Sequence, residues 1–184
     1  SAFVALLALA PLSSEEYLID VEHSAMLFSV QHMGLGNTWG RFNDFSGVIK
    51  FDAKDLENSM VEVTVQVASV DTHSKKRDAH LRNTDIFDAG TFPTMTFVGK
   101  GFKAAGDNAY EVEGTINIRG KEQSLKLKLV KIGEGIHVHH KKPAIGFEAE
   151  FEIDRTAFGV GEGDVSAALG KTVRIIVALE AVGK

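Results

Sequence analysis

The chain has 184 residues, enough for one domain with a sizeable core, and it carries no cysteine and a formal net charge of −5. The lack of cysteine excludes a disulfide scaffold and a Cys-ligated zinc site. The acidic balance, without a long Lys/Arg run, lacks the positive surface that nucleic acids require, so we expect no nucleic-acid partner.

Residues 1–16 form an apolar N-terminal tail that stands apart from the rest of the chain. The run FVALLALA within it is too short to span a bilayer, so we expect no stable membrane insertion. It fits the apolar part of a secretory signal, with Ala8-Leu9-Ala10 as a small-x-small cleavage site, and it fits a linker equally well. We expect the tail to pack on its own domain or on a neighbouring chain, and the second case implies a homodimer.

From Tyr17 onward apolar and polar residues alternate with a period of two, which is the pattern of half-buried strands. In the run SMVEVTVQVASV, for example, Val61 and Val63 share one face while Glu62 and Thr64 share the other. Turn residues separate most of the alternating segments. Eight strands are predicted, at residues 17–32, 38–52, 59–71, 94–103, 109–118, 123–133, 144–154 and 171–182.

The length of these segments decides between two antiparallel architectures, a sandwich and a closed barrel. Several predicted strands run for ten residues or more, which is over about 30 Å at roughly 3.3 Å per residue. Long, twisted antiparallel strands tend to close, and closure removes exposed edges. We therefore predict an all-β domain over residues 17–184. It is an eight-stranded antiparallel up-and-down barrel with a short helical connection between strands 3 and 4.

The helical connection, predicted at residues 75–90, is also a densely charged part of the chain. Within nine residues it carries Arg77, Asp78, His80, Arg82 and Asp85. We predict that these charged residues have a structural role and anchor the helical connection to the barrel rim, with Asp78 and Arg82 paired across one helical turn. A catalytic role would need a nucleophile or a bound metal beside the histidine, and the neighbouring sequence offers neither. In a third interpretation, compatible with anchoring, this segment caps a pocket and meets the end of a ligand.

The inward faces of an eight-stranded barrel either fill it or leave room for one small ligand, and the sequence leaves both cases open. The inward faces here are rich in Val, Ala and Gly, and the chain has 12 Phe against one Trp and two Tyr. A hollow lumen of this kind would be narrow and apolar, and an elongated hydrocarbon would gain roughly 0.8 kcal/mol per buried CH₂. Trp39, at the rim, could stack on a head group or close the lumen. The predicted ligand-binding residues are Phe28, Trp39, Phe45, Ile49, Val63, Val65, Phe97, Ile116, Leu127, Phe147, Phe151, Ile175 and Val177.

Histidines and a glycine-rich run supply the other candidate sites. His137 and His139 would point the same way on an extended strand, a spacing that can bind zinc or copper, although such a cluster beside lysines is more often a solvated loop. His23 and His32 fall on opposite faces of the first strand, so they cannot form one site within it. One of them could face the lumen and hydrogen-bond a ligand oxygen, although we expect satisfied buried histidines. The run FGVGEG at 158–163 lacks the following helix of a phosphate loop and fits a flexible hairpin better. We predict no metal site and no catalytic residue.

Five segments resemble, in order and spacing, signature segments of the YceI-like polyisoprenoid-binding family. They are YLIDVEHSAMLFSVQHMG (17–34), WGRFNDFSGVIKFD (39–52), VDTHSKKRDAHLRNTDIFDAGTFPTMTF (70–97), VEGTINIRG (112–120) and IDRTAFGVG (153–161). The resemblance covers residues 17 to about 181 and implies an extended lipocalin-like barrel that binds a long isoprenoid chain, such as that of a polyprenyl quinone or polyprenyl phosphate. It also implies a periplasmic or secreted location. The run HVHHKKP at 137–143 matches none of the family segments.

On these grounds we predict a binding protein and not an enzyme. It would sequester or carry one long-chain isoprenoid lipid, such as ubiquinone, without a covalent cofactor. A bound quinone would let it support electron transfer, with the redox chemistry belonging to the ligand. Two alternatives stay open: a metal-dependent enzyme that uses His137 and His139, and a ligand-free interaction module of a larger secreted protein.

Overall fold

The computed structural model describes residues 15–184, so the predictions made for the first 14 residues of the tail lie outside the described residues. The described chain is mostly antiparallel strand. The strand segments are β1 (Glu15–His32), β2 (Gly36–Phe42), β3 (Phe45–Phe51), β4 (Met60–Gln66), β5 (Val70–Asp71), β6 (Thr94–Ala104), β7 (Ala109–Ile118), β8 (Lys121–Ile136), β9 (Pro143–Asp154) and β10 (Leu169–Gly183). β2 and β3 are two halves of the predicted second strand, and β4 and β5 are two halves of the third.

The sheet closes on itself. Its strands follow the order β10-β9-β8-β7-β6-β4-β3-β1, and β1 pairs in turn with β10. This closing seam extends from Tyr17 opposite Gly183 to His32 opposite Leu169. β1 is long enough to pair with both halves of the second strand, β3 near its start and β2 near its end. The predicted eight-stranded antiparallel barrel is therefore confirmed.

A break at Asn43 and Asp44 reverses the alternation of the second strand. On β2 the buried, inward residue is the even-numbered Phe42, whereas on β3 the buried residues are the odd-numbered Phe45 and Ile49. An irregularity of this kind bends a strand and re-aims its side chains. Residues of the same parity on the two halves thus face opposite sides of the wall.

Aromatic rings fill one end of the barrel, which we call the closed end. There the rings of Phe51, Phe102, Tyr110 and Phe147 pack in tilted and edge-on contacts, with centroids 5.0 to 6.4 Å apart. These residues come from β3, β6, β7 and β9, so the plug joins strands from around the barrel. The closed end is a packed core, one of the two cases that the sequence left open.

The opposite end, which we call the helix end, carries α1 (Lys75–Leu81), the one α-helix in the described chain. The hydroxyl of Ser74 caps this helix by accepting a hydrogen bond from the backbone N–H of Arg77. α1 is shorter than the predicted helical stretch, because residues 82–92 form turns. Its place between strands 3 and 4 is as predicted. No helix within residues 15–184 has the length and apolar character needed to cross a membrane.

Candidate ligand-binding cavity

A cavity of about 200 Å³ occupies the part of the barrel toward the helix end. Of its 29 lining residues, all but Thr96 and Arg155 are apolar. Apolar cavities of about 150 Å³ stay dry and bind small hydrocarbons. This barrel is therefore filled at one end and hollow at the other, and the hollow part can accept an apolar guest.

The cavity wall is built by the period-two alternation of the strands. On β4 the valines at 61, 63 and 65 face inward, while Glu62 and Thr64 face the other side. Val63 lies opposite Phe97 on β6, which in turn lies opposite Ile116 on β7. Because the register aligns these positions, the inward side chains of neighbouring strands form one apolar layer.

Two glycines make room for aromatic rings of the lining. Gly114 lies opposite Gly99, and a Cβ atom on Gly114 would lie 2.7 Å from the ring of Phe97 and would collide with the carbonyl oxygen of Val98. Gly40 lies opposite Phe28, and a Cβ atom there would collide with that ring. Each ring therefore occupies the space above a glycine on the neighbouring strand, which keeps the lumen open.

The helix end of the cavity is roofed by apolar side chains of the helical connection. Leu81 from the end of α1, together with Ile86 and Phe87 from the turns that follow, lines the cavity. The ring of Phe87 packs edge-on against Phe42 at 5.9 Å, and Phe42 lies 5.5 Å from Phe28. The segment thus caps the cavity, as the third interpretation holds, and its contact with the end of a ligand stays a prediction.

Three charged side chains of the helical connection bond to Thr72 and Ala68, which lie on either side of the short strand β5, in agreement with the predicted anchoring role. The buried carboxylate of Asp78 accepts hydrogen bonds from the backbone N–H and the hydroxyl of Thr72, at 2.8 and 2.5 Å. Arg77 donates to the hydroxyl and to the carbonyl of the same threonine, at 2.8 and 2.6 Å. The predicted pairing of Asp78 with Arg82 is wrong, because Arg82 donates to the carbonyl of Ala68 at 2.9 Å.

Arg155 is the charged residue of the cavity lining, and its guanidinium is fully occupied. Its five N–H groups match five hydrogen bonds, which end on the backbone carbonyls of Val160, Gly161, Ser166, Leu169 and Gly170 at 2.6 to 3.4 Å. The side chain is 4% exposed. The connection between β9 and β10 therefore wraps this arginine, where the sequence predicted a flexible hairpin, and the guanidinium has no donor left for a ligand.

Nine of the thirteen predicted ligand-binding residues line the cavity. They are Phe28, Val63, Val65, Phe97, Ile116, Leu127, Phe151, Ile175 and Val177. Their role in binding stays a prediction. Among the lining residues that sequence reasoning missed, Met26, Leu129 and Val173 share a face with predicted ones, and the same alternation could have found them. Others, such as Phe158 and Val160, lie in the connection between β9 and β10, where strand alternation does not apply. Only the presence of two large apolar residues in a connection could have indicated that they line the cavity.

Four predicted residues do not line the cavity. Phe45, Ile49 and Phe147 face the interior and belong to the buried core, each 2% exposed. Phe147 joins the aromatic plug at the closed end, whereas Phe45 lies opposite Val65, toward the helix end. Alternation identifies the inward face and not the position along the barrel, so it could not separate the filled part from the hollow part. The prediction that Trp39 binds a ligand at the rim of the lumen is wrong, because Trp39 lies on the outer surface. It is 47% exposed, and the guanidinium of Arg174 lies 5.8 Å from its ring centroid.

The histidines take positions that the sequence did not predict. His23 and His32 are exposed, so the expectation of buried histidines is wrong. His137 does not form a site with His139 alone: it lies in a group with Asp20, His23 and Glu180, whose potential ligand atoms are all within 4.8 Å of one another. The hydrogen bond between Asp20 and His23 lowers the pKa of the carboxyl and raises the pKa of the imidazole. This group lies outside the barrel wall, away from the cavity.

Comparison with known proteins gives one family. The model of the YceI-like domain matches residues 17–181. A relative in Azotobacter vinelandii, described as a UPF0312 protein, is 32% identical over 184 residues, covering 97% of this chain and 92% of the relative.

Solved structures share the fold. The crystal structure of BcnA from Burkholderia cenocepacia has a TM-score of 0.81 at 28% identity, and the match covers 88% of this chain and 98% of that one. A domain from Saccharophagus degradans, described as polyisoprenoid-binding and implicated in plant cell wall breakdown, has a TM-score of 0.70 at 16% identity. That match covers 91% of this chain and 98% of the domain, and at this identity it shows the fold alone.

Proposed function

The chain belongs to the YceI-like domain family, and from this membership and the geometry of the barrel we propose that it binds one long-chain isoprenoid lipid. The observation that carries the proposal is the cavity at the helix end, in which 27 of 29 lining residues are apolar. Ten buried CH₂ groups would contribute about 8 kcal/mol at roughly 0.8 kcal/mol each, before the loss of chain entropy is subtracted. Such a ligand needs no polar contact to bind.

The charges around the cavity favour an uncharged group inside it. A phosphate brought into the lumen would need donors to replace its water, and the N–H groups of Arg155 already bind five carbonyls. Thr96 supplies the other polar side chain of the lining. We therefore propose a polyprenyl quinone, such as ubiquinone, as the ligand, whereas the head group of a polyprenyl phosphate would have to stay in solvent.

The role that follows is sequestration or carriage of the lipid, without catalysis by the protein. The charged stretch supports this role, because Asp78 and both arginines are engaged in anchoring the helical connection. With a quinone bound, the protein would support electron transfer through the redox chemistry of the ligand. A periplasmic or secreted location, which the family resemblance implies, would place it between membranes or outside the cell.

Extraction of the purified protein with organic solvent, followed by mass spectrometry, tests the proposal. We expect up to one isoprenoid lipid per chain. Val65→Trp would fill the lumen and should reduce retained lipid at least tenfold. Thr64→Trp is the matched control, because it adds the same side chain to a residue of similar size on the opposite face of β4.

Two results would contradict this function. One is a protein that retains no lipid and does not bind added ubiquinone, which would favour the ligand-free interaction module. The other is equal lipid retention by Val65→Trp and Thr64→Trp in folded protein, which would locate the lipid outside the lumen.

A further inference from the structure

Two histidines and two carboxylates from three parts of the barrel meet on the outer surface near the closed end. Asp20 and His23 belong to β1, Glu180 to β10, and His137 to the turn between β8 and β9. One potential ligand atom from each residue lies within 4.8 Å of all the others. In the described chain no other group of three or more such side chains comes this close.

An irregularity in β1 creates half of this cluster. Asp20 lies opposite Glu180, but the next paired positions are Ala25 and Ala178, so four residues of β1 face a single residue of β10. Ser24 holds the insertion in place, because its hydroxyl accepts from the backbone N–H of Glu180 at 3.0 Å and donates to its carbonyl at 3.3 Å. The extra residues turn His23 back over the strand, where its Nδ1 lies 2.8 Å from Oδ2 of Asp20.

The second half comes from a turn that is closed by its own backbone. The N–H of His137 donates to the carbonyl of Lys142, and the N–H of Lys141 donates to the carbonyl of His137, both at 2.8 Å. The side chain of His137 is 8% exposed, and its Nε2 lies 3.7 Å from Oε1 of Glu180. Its ring centroid is 6.2 Å from that of His23.

We propose that Asp20, His23, His137 and Glu180 bind one divalent transition-metal ion, with Zn²⁺ as the expected species. Two imidazole nitrogens and two carboxylate oxygens form a four-coordinate donor set that suits zinc. Bonds of about 2.0–2.1 Å in a tetrahedron place the ligand atoms about 3.4 Å apart. The distances of 2.8 Å between His23 and Asp20 and 3.7 Å between His137 and Glu180 lie on either side of that value. Side-chain shifts of about 1 Å would therefore complete the site.

The contacts around the cluster support this donor set. The other oxygen of Asp20 accepts the N–H of Glu22 at 3.0 Å, which orients the carboxylate while leaving Oδ2 toward the histidine. The side chains of His23 and Glu180 are 54% and 40% exposed, so an ion can enter from solvent. The two carboxylates balance the charge of a divalent ion.

Metal binding would also change the turn that carries His137. Nδ1 of this ring accepts the backbone N–H groups of His139 and His140 at 3.3 and 3.2 Å, so the proton of the neutral ring lies on Nε2. When an ion binds Nε2, that proton leaves to solvent and the neutral ring takes up a proton from solvent on Nδ1, so the two backbone hydrogen bonds to Nδ1 open. Four protein ligands leave no open position for substrate, so the ion would be structural. It would fasten the β1–β10 seam to the β8–β9 turn.

Titration of the EDTA-treated, full-length protein with Zn²⁺ by isothermal calorimetry at neutral pH tests the site. We expect saturable binding of one ion per chain and a melting temperature that rises with Zn²⁺. His23→Ala and His137→Ala should each weaken binding at least tenfold and abolish the thermal shift. Glu180→Gln keeps the size of the side chain and should weaken binding in the same direction.

Two further histidines provide matched controls. His80 forms an exposed hydrogen bond with Asp85 at 2.7 Å, comparable to that of His23 with Asp20, but it lacks the other two ligands, so His80→Ala should leave Zn²⁺ binding unchanged. His139→Ala should also leave the affinity for Zn²⁺ within about twofold of the original value. In the unsubstituted protein, the NMR signal of the backbone amide of His139 should shift as Zn²⁺ is added, because that amide donates to Nδ1 of His137.

The proposal is overturned if Zn²⁺ does not bind saturably, or if binding survives His23→Ala and His137→Ala. It is also overturned if His139→Ala is as damaging as His137→Ala while His23→Ala has no effect, since the ion would then be held by the turn alone. The experiment does not involve the lipid cavity, so its outcome is independent of the proposed lipid binding.

Discussion

Asp78 and Arg155 are the two charged residues that are buried in the described part of the chain, and both form hydrogen bonds within the protein. Asp78 accepts from Thr72, and Arg155 donates to five backbone carbonyls. A buried charge is tolerated when it is hydrogen-bonded in this way. Asp78, which belongs to the stretch with a catalytic appearance in the sequence, thus has a structural role. Asp78 and Arg155 each fix a connection at the helix end.

Glycine at position 114 gives a prediction at the same scale. Gly114→Ala should lower the free energy of unfolding by about 1–3 kcal/mol, because the new methyl group meets a backbone oxygen that cannot move away and the ring of Phe97. Urea denaturation measures the change. The control is Gly133→Ala on β8, where a Cβ atom meets nothing within 4 Å and stability should change by less than about 1 kcal/mol. Equal losses in the two variants would show that the ring of Phe97 does not need the space above Gly114.

Among the elements, the interrupted second strand and the helical connection together shape the cavity at the helix end. The break at Asn43 and Asp44 turns Phe42 inward and leaves Trp39 outside. The turns after α1 then bring Phe87 onto Phe42. The lumen at the helix end therefore depends on an interruption in one strand and on a segment that is not a strand.

The roof of the cavity should control the release of a bound lipid. If the proposed function holds, Phe87→Ala removes the ring that packs on Phe42 and should speed dissociation at least tenfold, about 1.4 kcal/mol of barrier. Displacement of a fluorescent isoprenoid analogue by excess unlabelled lipid measures the rate. Lys76→Ala, at an exposed position of α1, should have no effect on it. An unchanged rate in Phe87→Ala would mean that the lipid leaves by another route.

For the molecule as a whole, closure of the sheet makes the first and last strands neighbours. The seam between β1 and β10 brings residues from opposite ends of the chain into register, as with Tyr17 and Gly183. The last residue continues this contact, because the ammonium of Lys184 lies 2.8 Å from the carboxylate of Glu16. The barrel is thus held by pairings between residues far apart in sequence. Its assembly into a homodimer stays a prediction.

Several exposed carboxylates tie the stability of the molecule to pH. Hydrogen bonds from Thr156 hold the pKa of Asp154 below its usual value, Arg174 does the same for Glu150, and Lys184 for Glu16. Because these pKa values are lower in the folded state, the unfolded chain binds more protons near pH 4. The stability they provide is present above the unfolded pKa and is lost as the pH falls through the folded pKa.

Thermal unfolding between pH 7 and pH 3 tests this dependence. The melting temperature should fall as the pH drops below about 5, where carboxyl groups of the unfolded chain begin to bind protons. Asp154→Asn should reduce the fall, because one of the contributing carboxyls is gone. A melting temperature that rises as the pH drops below about 5, or an identical fall in the variant, would contradict the assignment.

The sequence by itself determined the architecture, because the period-two alternation depends only on the order of residues. The eight segments, the helical connection and nine of the thirteen predicted lining residues follow from that pattern together with the family resemblance. Side chains such as Val63 and Ile175 could be assigned to the inward face, since the alternation is unbroken within β4 and β10, where they lie.

The tertiary structure alone decided where along the barrel each inward residue lies and which distant residues meet. Phe147 shares its inward face with Phe151, yet the first joins the aromatic plug and the second lines the cavity. Trp39 lost its predicted place through the break at Asn43 and Asp44, and His137 meets His23 because the barrel closes and β1 carries extra residues. Register, breaks and closure are set by hydrogen bonds between strands far apart in the chain, and local alternation carries no information about them.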